Sequence, residues 1–160
     1  FFSISCQQEK RLLTEVDKQV IIESAQITVQ KVFDLSNGHQ FVEGLAHYSG
    51  DSDAHYTSNG TIMTLDDLKK SYIEIAPSVE ILKNEIKSWK ARVISESTVV
   101  FTLPVDLTIK LSGTAEYKGH LVWTAVVQKQ NQKWIIVQSH ESWLNCIEAA
   151  RALTTVDQID

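Results

Sequence analysis

Residues 119–143 read GHLVWTAVVQKQNQKWIIVQSHESW, and this stretch decides the fold. Two apolar runs flank the polar segment KQNQK at 129–133, so the reading is two long strands joined by a polar turn. The pattern extends upstream. Val99, Phe101, Leu103, Val105, Leu107, Ile109 and Leu111 alternate with mostly polar neighbours, the signature of a half-buried antiparallel strand. Pro104 lies in its middle and has no N–H for a ladder, which predicts a bulge or an edge position there. A strand over 81–95 precedes it, Ser112-Gly113 turns the chain onward, and strands over 115–129 and 133–143 follow. A short helix is expected over 144–153.

The first half of the chain has a different period. From 14 to 37 the polar residues Gln19, Glu23, Gln26 and Gln30 form one helical stripe, with apolar residues around most of the remaining circumference. That predicts a long, largely buried helix. Thr14 and Asp17 are spaced as a capping box at its start, and Asn37-Gly38 reads as a left-handed stop. A short helix over 39–48 turns Phe41, Val42 and Leu45 inward. The stretch AHYTSNGTIMT at 54–64 reads as a small hairpin around Asn59-Gly60. A third helix follows Thr64, with Asp66 and Asp67 in its first turn and Leu65, Leu68, Tyr72 and Ile75 along one side, and Pro77 ends it. Helices first and long antiparallel strands afterwards indicate the α+β class: a cone-shaped, strongly curved antiparallel sheet with three N-terminal helices packed on its concave face. Such a bent sheet closed by helices encloses a conical cavity, a common place for a small-molecule site.

Composition narrows the function classes. The 160 residues fit one domain, are 43% hydrophobic and 22% charged, and carry a formal net charge of -5. An acidic balance without a basic stripe argues against nucleic acid as a partner. Cys6 and Cys146 stand near opposite ends and lack metal-ligand spacing, and the five histidines are scattered, so neither a metal nor another cofactor is expected. The string Asp51-Ser52-Asp53 with His55 has no complete ligand spacing and reads as a solvated loop. No apolar run approaches the ~18 residues that span a bilayer.

The opening FFSISCQQEKR resembles the end of a bacterial lipoprotein signal: an apolar stretch, small residues, a cysteine and a polar tether. The resemblance implies that Cys6 carries a lipid, which would be the only membrane attachment, and that the protein resides in the cell envelope. Ser3 departs from the aliphatic residue which that pattern prefers. Read instead as a frayed tail, residues 1–13 say nothing of export and the protein is cytoplasmic. Either way, 14–160 is the single folded domain.

Thr124, Val126-Val127-Gln128-Lys129, the polar turn, Lys133-Trp134-Ile135-Ile136-Val137 and Ser139-His140-Glu141-Ser142 together resemble the closing strands of the nuclear transport factor 2-like superfamily, in its SnoaL-like and ketosteroid-isomerase-like branches. The order of helices, small hairpin and long strands agrees over 14–143. The resemblance implies a cone-shaped pocket and a homodimer through the sheet face. It does not carry a mechanism across. The isomerases place an Asp base just after the small first strand, where this chain reads His55-Tyr56-Thr57-Ser58, and the first helix lacks a tyrosine for an oxyanion hole. The SnoaL-like cyclases use a carboxylate on a late strand, for which Glu116 and Glu141 are the nearest candidates here.

No complete catalytic motif occurs in the chain. His140 is the best single candidate: in an unbroken strand it shares a face with Trp134, Ile136 and Ser142, and an imidazole lining the cone would exchange protons near neutral pH. Read otherwise, it is a polar core residue satisfied by a backbone or tyrosine partner. Tyr56 would orient a carbonyl oxygen. Trp89, Phe101, Trp123 and Tyr72 are candidates for the pocket wall, or else ordinary core or dimer-face aromatics. Asp106 and Glu116 are strand carboxylates that act as bases only if buried, and belong more often to a solvated face. The leading reading is a small-molecule-binding domain, with proton transfer of the isomerase, cyclase or dehydratase type on a cyclic apolar ligand. The alternative is a non-catalytic dimeric binding or assembly module of the envelope.

Overall fold

The computed structural model describes residues 12–58 and 60–154; Cys6 and Asn59 lie outside them. Helix α1 spans Glu15–Asn37 and starts with the expected capping box. The Asp17 N–H donates to Thr14 Oγ1 at 3.1 Å, and the Thr14 N–H to Asp17 Oδ2 at 3.0 Å. Ala25, Val29 and Phe33, spaced by four, form its buried stripe. Yet Val20 and Ile27 are 61% and 71% exposed, so the helix is less buried than its apolar circumference suggested. The sheet covers one side of it only. At its far end Gly38 is right-handed, and the left-handed residue is His39, with φ 60°. Asn37 serves differently: its side chain exchanges two hydrogen bonds with the backbone of Asn84, at 2.6 and 2.9 Å, and pins the helix end to the sheet.

Helix α2, Phe41–Gly44, runs into a 3-10 turn over Leu45–His47. Strands β1 (His55–Ser58) and β2 (Thr61–Met63) form the small hairpin, with Gly60 at φ 82° in its turn. Helix α3, Leu65–Ile75, opens on a second capping box, between Thr64 and Asp67. Then come β3 (Val79–Ile86), β4 (Lys90–Ser95), β5 (Thr98–Leu111), β6 (Tyr117–Gln130) and β7 (Lys133–Trp143), with α4 at Cys146–Ala152.

The strands make one curled, unclosed sheet in the order β2-β1-β7-β6-β5-β3, with β4 also paired to β5. It is antiparallel except that β1 runs parallel to β7. The single strand expected over 81–95 is two strands, both lying along β5. They part opposite Pro104. Lys87 N–H donates to the Pro104 carbonyl at 2.9 Å. One residue's N and O point to the same side of a strand, so the donor that proline lacks would have faced the break. Asn131 and Gln132, at φ 49° and 67°, make the tight turn between β6 and β7.

β7 carries the irregularity that matters most. Val127 of β6 faces Ile136, but Val126 faces Gln138, so Val137 is an extra residue. Across the bulge the inward positions change from even to odd. Trp134 and Ile136 are buried, then Ser139 is buried and His140 is exposed. The bulge also frees the Ile136 carbonyl, which accepts from Ser49 N–H at 2.8 Å and the Tyr56 hydroxyl at 3.2 Å.

Val99, Phe101, Leu103, Val105 and Leu107 of β5 and Leu121, Trp123, Ala125 and Val127 of β6 form the concave core face. Phe33 of α1 meets Trp123 edge to face at 5.4 Å. Burying rings of this size contributes roughly 2–3 kcal/mol each, enough to hold the helix on the sheet. Trp134 Nε1 donates to Ser24 Oγ at 2.8 Å and fixes the same helix to β7. No helix among the described residues is long and apolar enough to cross a membrane.

Candidate functional site

The helices and the concave face of the sheet line a partly open cavity of about 400 Å³. Its walls are mostly apolar, from Phe33, Phe41, Leu68, Leu82, Leu107 and Trp123 among others, with hydroxyls and phenols interspersed. Among the described residues, Glu141 is the sole charged side chain of the lining. It reaches the cavity because the bulge in β7 turned odd positions inward.

Glu141 is half-buried and held by one oxygen. Trp143 Nε1 donates to Oε2 at 3.2 Å and Ser58 Oγ to the same atom at 3.4 Å. Oε1 has no hydrogen-bond partner among the described residues. Burial pushes this carboxyl above its ordinary value of 4.5, against the opposing pull of the Trp143 and Ser58 bonds and the His140 charge. Burial and the nearby Glu141 charge likewise raise the phenols of Tyr48 and Tyr72, which therefore stay neutral. Neither of their hydroxyls makes a hydrogen bond among the described residues, and both rings line the cavity. A carboxyl with one open oxygen and two neutral phenols thus face an apolar chamber.

The residues singled out from sequence fall in three places. Tyr56, Tyr72 and Trp123 line the cavity. The Tyr56 hydroxyl, however, is committed to the backbone: it donates to the Ser49 carbonyl at 2.6 Å and shares its proton with Ile136, while burial pushes its pKa up to about 12. Orienting a ligand's carbonyl would require breaking those bonds. Trp89 and Phe101 are outside the lining and pack edge to face on each other, at 5.7 Å, under the break between β3 and β4. His140 is on the outer face of the sheet, opposite the face that period two alone assigned it. Asp106 is also on the outer face, bonded to His120 at 2.6 Å and to Lys87 at 3.2 Å, and Glu116 is exposed. The His120 bond, first of all, keeps the Asp106 carboxyl below its usual range. Among the described residues, no three His, Cys, Asp or Glu side chains are grouped to hold a metal.

Reading from sequence missed Tyr48 and Trp143 and left Glu141 beside Glu116. A signal was present: after Ile136 the even positions Gln138, His140 and Ser142 are all polar, while the next aromatic, Trp143, is odd. The apolar phase changes, and a bulge is the simplest cause.

No family model matches this chain, and no curated protein sequence does. Solved structures do resemble it. A nuclear transport factor 2-like superfamily protein from Salmonella enterica superimposes with a TM-score of 0.70 at 9% identity, over 79% of this chain and 92% of its own. A hexachlorocyclohexane dehydrochlorinase from Novosphingobium barchaimii gives 0.68 at 12% identity, over 82% and 91%. A protein from Novosphingobium aromaticivorans, provisionally assigned as a scytalone dehydratase, gives 0.72 at 11% identity, over 81% and 88%. Identities this low speak for architecture alone.

Proposed function

From the nuclear transport factor 2-like fold of this chain, we propose that the domain binds a small, mostly apolar molecule inside the cone and that Glu141 is the group that exchanges a proton with it. The observation that carries this reading is the one charged side chain that the described residues bring to the lining, a carboxyl raised by burial and with an oxygen unbonded among them. A carboxyl raised toward neutrality is a better general acid or base at working pH than one in water. The apolar walls lower the local dielectric and strengthen each polar contact inside. Tyr48 and Tyr72 supply neutral donors beside it. Two of the structural neighbours bear names that denote elimination, a dehydrochlorinase and a dehydratase, so elimination from a cyclic substrate is the reaction class to test first.

The test is turnover of a panel of cyclic alcohols, ketones and halides, measured for the wild type and for Glu141→Gln and His140→Ala. Loss of proton transfer from Glu141 should lower kcat on any substrate found by about 100-fold or more. His140→Ala should leave kcat within twofold. A Glu141→Gln protein that turns over like the wild type refutes the assignment.

A second reading has its own support. The outer sheet face carries Val100, Val122, Thr124, Val126 and Ile135, and Val122 is 41% exposed. We infer that two copies pair through this β-branched surface, which is compatible with a ligand bound on the opposite side of the sheet.

A further inference from the structure

Resting on the reading of the cavity as a small-molecule site, we infer that its ligand carries a protonated nitrogen, seated against Oε1 of Glu141 and the aromatic rings beside it. Among the described residues the lining holds one acidic side chain and no Lys, Arg or His, so a carboxylate or phosphate ligand would meet only repulsion there. The open Oε1 accepts hydrogen bonds and, once the group is ionised, cannot donate one. A carbonyl or ether oxygen gains nothing from it in that state, and an alcohol supplies a donor without a charge, whereas an ammonium supplies both the donor and the opposite charge. Aromatic side chains complete the fit. Trp143 is bonded to the carboxyl itself, Tyr48 and Tyr72 both sense its charge, and Phe41 packs on Tyr72 at 5.4 Å. Aromatic side chains lining the same cavity as a single carboxylate are what an organic cation recognises. The chain's net charge of -5 adds a field of the same sign.

The groups that would alter this balance are few. Ser58 on β1 and Trp143 on β7 donate to Oε2; His140 is on Glu141's own strand but on the outer face; Tyr72 stands on α3, and Tyr48 is bridged to Ile136 of β7. None of them places a formal positive charge inside the cavity. An ammonium therefore becomes the carboxylate's partner, and its binding draws a proton off Glu141.

Three rigid probes of one shape decide the matter: 1-aminoadamantane, 1-adamantanol and 1-adamantanecarboxylate, titrated calorimetrically into the whole chain. The amine should bind at least about tenfold tighter than the alcohol, with no binding of the acid. Amine binding should release protons, seen as a heat that depends on the buffer's ionisation enthalpy. Its affinity should fall as pH drops through the Glu141 range, while that of the alcohol should not. Glu141→Gln keeps the side chain's shape and an oxygen for Trp143 and Ser58; with its fold verified by thermal melting, it should bind amine and alcohol equally. An alcohol that binds the wild type as tightly as the amine overturns the inference and leaves the small-molecule site standing. Failure of all three probes overturns both.

Discussion

Glu141 is a carboxyl that the folded chain would rather keep protonated, and that preference has a measurable sign. Below the ordinary value of 4.5 it is protonated in the folded and unfolded chains alike and contributes no difference. As pH rises past that value the unfolded chain ionises first, and the native chain binds the extra proton. Its contribution to stability therefore falls with rising pH until the native carboxyl has ionised too. Glu141→Gln removes this loss. Urea melts across pH 4 to 8 should show the variant gaining on the wild type as pH rises, with the gap closing toward pH 4. A gap that stays constant would mean that burial does not perturb this carboxyl. Sequence placed Glu141 in the right neighbourhood but gave the inward position to His140, because a residue's face is set by pairing and not by counting alone.

At the scale of elements, most boundaries were legible. Thr14 and Asp17 announced a helix start, and seven alternating apolar residues from Val99 to Leu111 announced β5. These are local signals, each decided by residues a few positions apart. What sequence hid depends on partners. The strand expected over 81–95 divides because two strands share β5 at Pro104, and β7 shifts phase because β6 has one residue fewer across the bulge. The bulge can be tested by charge. Ser139→Asp would force a second carboxylate into a buried position on Glu141's face and should cost about 3 kcal/mol or more in denaturant melts, whereas His140→Asp should change stability by no more than about 0.5 kcal/mol. An unbulged strand gives the reverse order.

The whole molecule presents two faces of the same sheet, and they answer different questions. The concave side holds the cavity; the convex side is the proposed pairing surface. If two copies pair there, light scattering at micromolar concentration should report twice the 18.0 kDa chain, and Val122→Lys should return it to one chain without loss of fold. A stable pair of this kind needs to bury about 800 Å² on each partner, and charges at its centre would abolish it. A monomeric wild type excludes the assembly reading. The cone itself was legible from the order of helices and strands, while the choice of outer residues again followed from register.

The parallel contact of β1 with β7 has a consequence for how the protein is made. His55–Ser58 must wait for Gln138–Glu141, and the Ser58–Glu141 bond spans 83 residues. During synthesis, then, the small hairpin leaves the ribosome without the neighbour that holds it, and some eighty further residues are made before that strand exists. The hairpin's seat and the wall carrying Glu141 are completed together. A nascent chain halted before residue 138 cannot close the chamber, and its unpaired strand edges are surfaces for a chaperone to cover.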